Sequence, residues 1–441
     1  MSRTSALLAD LSSAPWATAA LSDLRAVLPD SADTLQAALH ARAEAAACES
    51  VVAALFARAE EGVGWTEPFW RECYVLACAA TAVALCTAPC GAGDHQRALR
   101  HLDCAFIMGG PPEVLQPFVA EVEPLVPRAV TIDSHLLPRS LLDGEAPELL
   151  AAPLCRLDSG EWGRFRKDFY NVDAPVVLAR LGAAWPALEK WRDLGFWDRE
   201  FGHRYVPLEV GKHTDGSAWR EEVAPMREFL AALAAGSRVL YLAQHTLFEH
   251  LPALRDDFEV PDCVGRRLTR INAWLGSRGT VTPLHYDRRV AAHPPWPLCN
   301  TPVASHPHTR GAPLPSYDGL LTQAVGFKYV RLYPASNTPF LYRTKVAWAQ
   351  QRRWPDAAAE DAASADDVTD DGQGTISLVE VEQPDLERFP LFQRARFMET
   401  VLVRKPASIP RVTAAQRMAV PAARQPCFAR FACAPARYTS G

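Results

Sequence analysis

The sequence predicts an α+β protein in which an all-helical N-terminal region precedes a β-rich region of the jelly-roll type. Ala and Leu dominate residues 1 to about 135, where apolar positions recur at helical spacing, as at Leu35, Ala38 and Leu39. From about residue 150 the chain changes to short β-like segments joined by turns, with few long helices. Short strands of this kind are typical of a β-sandwich or barrel.

The composition is that of an ordinary globular protein with two or three domains. The 441 residues are 49% hydrophobic and 22% charged, with a formal net charge of -5, which gives no global nucleic-acid signature. Asp10, Ser12 and Pro15 interrupt the first twenty residues, so we predict no signal peptide. The apolar run from Cys73 to Ala88 is short for a membrane span, and we interpret it as a buried helix.

Three stretches of the β-rich region carry specific predictions. Residues 204–211 (RYVPLEVG) alternate and predict a strand that ends at a glycine, whereas residues 217–235 predict a helix. Residues 320–334 (LLTQAVGFKYVRLYP) have a strong strand pattern that contains Lys328. A buried lysine is costly unless its amine is paired, so this pattern alone favours an edge strand with Lys328 in solvent.

Local composition also predicts the domain boundaries and three segments without regular structure. We predict a helical region over 1–145 and a β domain over 150–403. Within the β domain, the Pro-rich segment 288–318 is predicted to be a disordered insert, because proline cannot serve a sheet ladder. The Ala- and Asp-rich segment 345–374 is predicted to be a solvated acidic linker. The basic, Pro-containing tail 404–441 is predicted to be disordered.

Residues 271–287 (INAWLGSRGTVTPLHYD) hold the candidate metal ligands. His285 and Asp287 lie two residues apart, so on an extended strand their side chains point to the same face. One imidazole and one carboxylate on one face match two of the three ligands of the 2-His-1-carboxylate triad of non-haem Fe(II) oxygenases.

Four co-linear blocks give this motif a specific context. They are YLAQHTLFEHLPAL (241–254), INAWLGSRGTVTPLHYD (271–287), QAVGFKYVRLYP (323–334) and VEVEQPDLERFP (379–390). Together they resemble the JmjC family of Fe(II)- and 2-oxoglutarate-dependent oxygenases, in its arginyl-hydroxylase or lysine-demethylase-8-like branch. The resemblance implies a cupin-like double-stranded β-helix with the metal near one mouth. It also implies that His285 and Asp287 bind Fe(II).

The resemblance further implies a pocket for 2-oxoglutarate as cosubstrate. Tyr241 and Lys328 would hold its distal carboxylate, and Thr282 would supply a hydroxyl to the same group. Trp274 would line the pocket. A cationic lysine with phenol and hydroxyl donors suits a dicarboxylate. In this context the interpretation of Lys328 reverses in favour of a functional, inward-facing side chain.

The family's third iron ligand, a second histidine late in the sheet, is not found in this sequence. The chain has no histidine after His308, so we expect an incomplete metal triad. His306 and His308 lie in the Pro-rich insert, where histidines are usually exposed to solvent. A reading-frame or gene-model fault in the insert and tail is one hypothesis. The alternative is a catalytically inactive JmjC-fold binding protein.

The resemblance implies a protein hydroxylase that acts on a basic side chain, Arg or Lys, by hydroxylation or demethylation. It implies an intracellular protein, in the nucleus or the cytoplasm. No direct nucleic-acid partner and no membrane partner are expected.

Overall fold

The computed structural model describes residues 12–40, 43–60, 68–87, 90–137, 152–158, 160–172, 174–211, 219–264, 268, 270–285, 319–343, 376–403 and 428–432. Asp287, the predicted insert 288–318, the predicted linker 345–374 and most of the predicted tail lie outside these residues.

The described N-terminal part is helical, as predicted. Apolar side chains of its helices form one core cluster. Its helices are α1 (Pro15–Val27), α2 (Pro29–Leu39), α3 (Ala45–Glu60), α4 (Pro68–Thr87), α5 (Ala92–Ile107) and α6 (Pro112–Val122).

Helix α4 lies at the centre of this region. It packs against α1, α2, α3 and α5, and every residue from Cys73 to Leu85 is buried. By length and composition α4 could cross a membrane, but 72% of its most apolar window is buried inside the protein. The predicted buried helix is therefore confirmed.

Among the described residues, the β-rich part contains two antiparallel sheets. A four-stranded sheet consists, in spatial order, of Arg220–Pro225, Tyr205–Val210, Leu240–His245 and Ala273–Gly276, and a three-stranded sheet consists of Met398–Val403, Phe327–Tyr333 and Phe428–Ala432. A further parallel pair joins β1 (Arg156–Leu157) to β2 (Val177–Leu178). The strands of the two larger sheets are β3 (Tyr205–Val210), β4 (Arg220–Pro225), β5 (Leu240–His245), β6 (Ala273–Gly276), β7 (Phe327–Tyr333), β8 (Met398–Val403) and β9 (Phe428–Ala432).

Short helices accompany these strands. Two of them, Leu194–Phe201 and Met226–Ala235, share a core cluster with apolar residues of β3 and β5, so they cover one face of the four-stranded sheet. Helix α5 of the N-terminal part packs against β3. The helices are α7 (Trp162–Asp168), α8 (Ala187–Lys190), α9 (Leu194–Phe201), α10 (Met226–Ala235) and α11 (Leu247–His250).

Two secondary-structure predictions were wrong in part. The helix predicted over 217–235 begins only at Met226, because Arg220–Pro225 forms β4 and pairs with all six residues of β3. Pairing with β3, the preceding strand in the chain, overrides the weak local preference of these residues. Disorder was predicted throughout the tail, but Phe428–Ala432 forms β9 and pairs with β7 from Tyr329 to Tyr333. Strand β7 has two sides available for pairing, and β8 occupies one of them.

Candidate active site

The two faces of the four-stranded sheet have different roles. Leu242 lies opposite Leu275, and both pack with the cluster that includes α9 and α10. Tyr241 lies opposite Gly276, and side chains of neighbouring strand residues alternate between faces. Tyr241 and Trp274 therefore point away from the helices, towards the three-stranded sheet.

Lys328 meets this face from the other sheet. It lies on β7 and is only 4% exposed. Its Nζ donates a 3.2 Å hydrogen bond to the Tyr241 hydroxyl and lies 5.7 Å from the centre of the Trp274 ring. The solvent-facing lysine that the strand pattern alone favoured is therefore wrong. The structure brings together three of the four residues for which the resemblance implies a cosubstrate pocket.

Gly276 makes room for the Tyr241 ring. A Cβ atom built on Gly276 would lie 2.7 Å from Cδ2 of Tyr241 and 2.8 Å from Oγ1 of Thr280, closer than packed carbon atoms allow. Sequence reasoning did not identify Gly276 as a site residue. A glycine inside a strand pattern, here in AWLG, is the signal for such a close approach.

The donor set of this pocket fits a carboxylate ligand. A buried ammonium beside a phenolic hydroxyl can give charge-assisted hydrogen bonds to an anion, and two aromatic rings limit access of water. Trp274 is 43% exposed, so the pocket reaches the protein surface at this ring. Thr282 is half-buried, but among the described residues its hydroxyl forms no hydrogen bond with Lys328 or Tyr241.

His285 is held in place by the backbone around it. It forms an antiparallel bridge with Ile376, and the Ser377 amide donates to the carbonyl of the buried Leu284. Nδ1 of His285 lies 2.9 Å from the Pro283 carbonyl, so Nδ1–H donates to it. This backbone contact selects the tautomer in which Nε2 carries the lone pair, which is how metal-binding histidines are commonly oriented.

A complete iron site is not present in the described part of the chain. No group of three His, Cys, Asp or Glu side chains there could hold a metal ion. The imidazole of His285 fits one ligand position, whereas the second predicted ligand, Asp287, lies outside the described residues. His306 and His308 of the Pro-rich segment lie outside them as well.

Two carboxylates extend the pocket face across the sheet. Glu209 on β3 lies opposite Tyr241 on β5 and, on its other side, opposite Glu221 on β4. Side chains of opposite residues share a face, so both glutamates lie on the Tyr241 side of the sheet. Sequence reasoning did not select them, because the pairing of β3 with β4 was not predicted.

The comparisons with known proteins agree on one family. A family model described as a cupin-like domain matches residues 162–404, more than half of the chain. Similar proteins include a lysine-specific demethylase, JMJ30, of Arabidopsis thaliana, which is 31% identical over 62% of this chain and 65% of its own length. Lysine-specific demethylase 8 of Danio rerio is 28% identical over 76% of this chain and 74% of its own length.

A third relative extends the match. JmjC domain-containing protein F of Dictyostelium discoideum is 26% identical over 78% of each chain. The chain thus spans less than two thirds of the Arabidopsis relative and about three quarters of the other two.

Proposed function

The chain belongs to the cupin-like domain family, in its JmjC branch, and from this membership we propose that it is a 2-oxoglutarate-dependent oxygenase acting on a protein side chain. The observation that carries the proposal is the hydrogen bond from Lys328 to Tyr241 between the two sheets. A dicarboxylate cosubstrate needs a buried cation for its distal carboxylate, and Lys328 is such a cation.

Within this site each residue has a definite task. Lys328 and Tyr241 bind the distal carboxylate and so orient the rest of the cosubstrate towards His285. Trp274 covers the Lys328 ammonium, and excluding water there strengthens its attraction for an anion. His285, with Asp287 as the second ligand, would hold Fe(II), which supplies the oxidative chemistry when it is bound. The Pro283 carbonyl keeps the His285 ring turned so that Nε2 is the coordinating nitrogen.

The charge of the site supports a basic side chain as substrate. Glu221, Glu209 and Tyr241 lie directly opposite one another on adjacent strands, so both carboxylates share the face of the sheet that carries Tyr241. An arginine or lysine side chain that enters past Trp274 would be attracted to these carboxylates and could stack on the indole. Hydroxylation of arginine, as in the arginyl-hydroxylase branch, and demethylation of lysine both use a cation of this kind.

The proposal is tested by following succinate formation from 2-oxoglutarate in the presence of Fe(II), with arginine-containing and methyl-lysine-containing peptides as substrates. We expect succinate, together with an added oxygen on the arginine peptide or a lost methyl group on the lysine peptide. A protein that neither binds 2-oxoglutarate nor forms succinate would overturn the proposal. Binding of 2-oxoglutarate without turnover would instead identify a non-catalytic member of the family.

A further inference from the structure

A chain of buried side chains connects the helical region to strand β5. Nε2 of His245 lies 2.9 Å from Nδ1 of His250, and Nε2 of His250 lies 2.7 Å from Oδ1 of Asp103. All three side chains are buried, with Asp103 0% and His250 1% exposed. Asp103 belongs to α5, His250 to α11 and His245 to β5, so the contacts cross the boundary between the helices and the sheet. We call these three residues the relay.

The hydrogen bonds of the relay run in one direction. Arg204 donates to Asp103 at 2.6 Å and the Tyr205 amide donates at 2.8 Å. Arg204 and His250 hold the pKa of Asp103 well below its usual range against the effect of burial, so its carboxylate only accepts. His250 therefore donates through Nε2–H and accepts at Nδ1 from Nε2–H of His245. Burial lowers the pKa of His245 to about 3 and also lowers that of His250, which keeps both rings neutral at pH 7.

The relay ends at an irregularity in β5. The pairing of β5 with β6 shifts by one residue between Leu242 and His245, which is a β-bulge. The shift places His245 opposite Ala273, on the helix-facing side of the sheet with Leu242. Without the bulge, His245 would share the pocket face with Tyr241, because the two are four residues apart. The bulge thus lets one strand present Tyr241 to the pocket and His245 to the helices.

We propose that Asp103, His250 and His245 are positioning residues that fix the bulge of β5 and thereby set the placement of the Tyr241 hydroxyl. The relay is the means by which the helical region acts on the pocket. A one-residue slip in a strand turns its side chains to the other face, so an anchor at the bulge protects the orientation of Tyr241. The effect on cosubstrate affinity rests on the proposed function, whereas the effect on β5 does not.

The same interface offers a matched control. His203 is also buried, and its Nε2 lies 2.7 Å from Glu123, which follows α6 in the helical region. His203 precedes β3 and has no part in the contact with His245. A variant at His203 therefore shows whether any damage to this interface loosens β5, or whether only loss of the contact with His245 does so.

Hydrogen exchange of the β5 amides tests the proposal without any ligand. We expect His250→Leu to speed exchange from Leu240 to His245 by about tenfold or more. His250→Gln should restore slow exchange, because its amide can donate to Asp103 and accept from His245. His203→Leu should leave β5 slow. If His250→Leu does not fold, His245→Leu breaks the same link from the strand side and should loosen β5 equally.

Calorimetric titration with 2-oxoglutarate provides the second readout. We expect His250→Leu to bind about tenfold more weakly than wild type, and His250→Gln and His203→Leu to bind within about twofold of it. Slow β5 exchange in His250→Leu, or equal loosening of β5 in His203→Leu, would overturn the relay whatever the cosubstrate result. Loosened β5 in a protein whose wild type does not bind 2-oxoglutarate would uphold the relay and count against the proposed function.

Discussion

Lys328 on the three-stranded sheet donates a hydrogen bond to Tyr241 on the four-stranded sheet, although the two residues are 87 positions apart in the chain. This contact joins the faces of the two sheets at the pocket. Gly276 lies close below the Tyr241 ring, and the bulge of β5 lets Tyr241 face the pocket while His245 faces the helices.

Gly276→Ala should displace the Tyr241 ring. The added methyl group would contact the ring at 2.7 Å, so the ring has to turn, and we expect a loss of about 1–3 kcal/mol in unfolding free energy together with weaker 2-oxoglutarate binding. Urea denaturation and calorimetry measure the two effects. Gly93→Ala is the control, because Gly93 lies in α5 with no atom near its Cβ position and should be neutral or stabilising. Equal stability and affinity in both variants would contradict the close-approach role of Gly276.

Asp103→Ala should be strongly destabilising. It leaves the guanidinium of Arg204 buried without its main carboxylate, and breaking a buried pair in this way costs about 3–5 kcal/mol. Asp33→Ala removes the exposed pair with Arg25 and should cost less than about 1 kcal/mol. Chemical denaturation measures both values. A loss at Asp103 as small as that at Asp33 would show that the buried network contributes little to stability.

His245 should make stability depend on pH. In the unfolded chain its imidazole has the ordinary pKa of 6.5, whereas burial in the folded protein lowers this pKa to about 3. Unfolding therefore takes up a proton between these values, and stability falls as pH falls through that range. We expect His245→Asn to flatten the slope of unfolding free energy against pH by up to about 1.4 kcal/mol per unit. Identical slopes in the two proteins, from denaturation at several pH values, would rule out this contribution.

His285→Ala should weaken metal binding. The Pro283 contact orients the ring for coordination, and loss of a ligand lowers metal affinity by at least about tenfold. Mn(II) titration followed by electron paramagnetic resonance measures this affinity independently of turnover. His40→Ala is the control, because His40 is exposed at the end of α2 in the helical region. Unchanged Mn(II) affinity in His285→Ala would mean that His285 is not a ligand.

The grouping of Tyr241, Trp274 and Lys328 could be predicted from the sequence, whereas their role in binding a cosubstrate stays a prediction. The four blocks that resemble the JmjC family specified Tyr241, Trp274 and Lys328, and the structure brings these residues together. Strand pattern alone placed Lys328 in solvent, because periodicity contains no information about what covers a strand. Only the resemblance corrected that interpretation.

The missed features depend on contacts between elements, which the pattern of one segment does not reveal. Strand β4 has little alternation of its own and forms because β3 pairs with it, which is also why Glu221 was not recognised beside Glu209. The relay joins Asp103 to His250 across 147 positions, and no local pattern announces such a contact. The role predicted for Asp287 concerns a residue outside the described ranges, and it stays a prediction.

The most direct test of the account is a calorimetric titration of 2-oxoglutarate into the wild-type protein and into Lys328→Met. Methionine keeps the apolar stem and removes the charge, so we expect binding by wild type and an affinity about 10- to 100-fold lower in the variant, without loss of stability. Arg238→Met, which removes an exposed cation next to β5, should bind like wild type. Equal binding by Lys328→Met and wild type, or no binding by either, would contradict the assignment of this pocket to the cosubstrate.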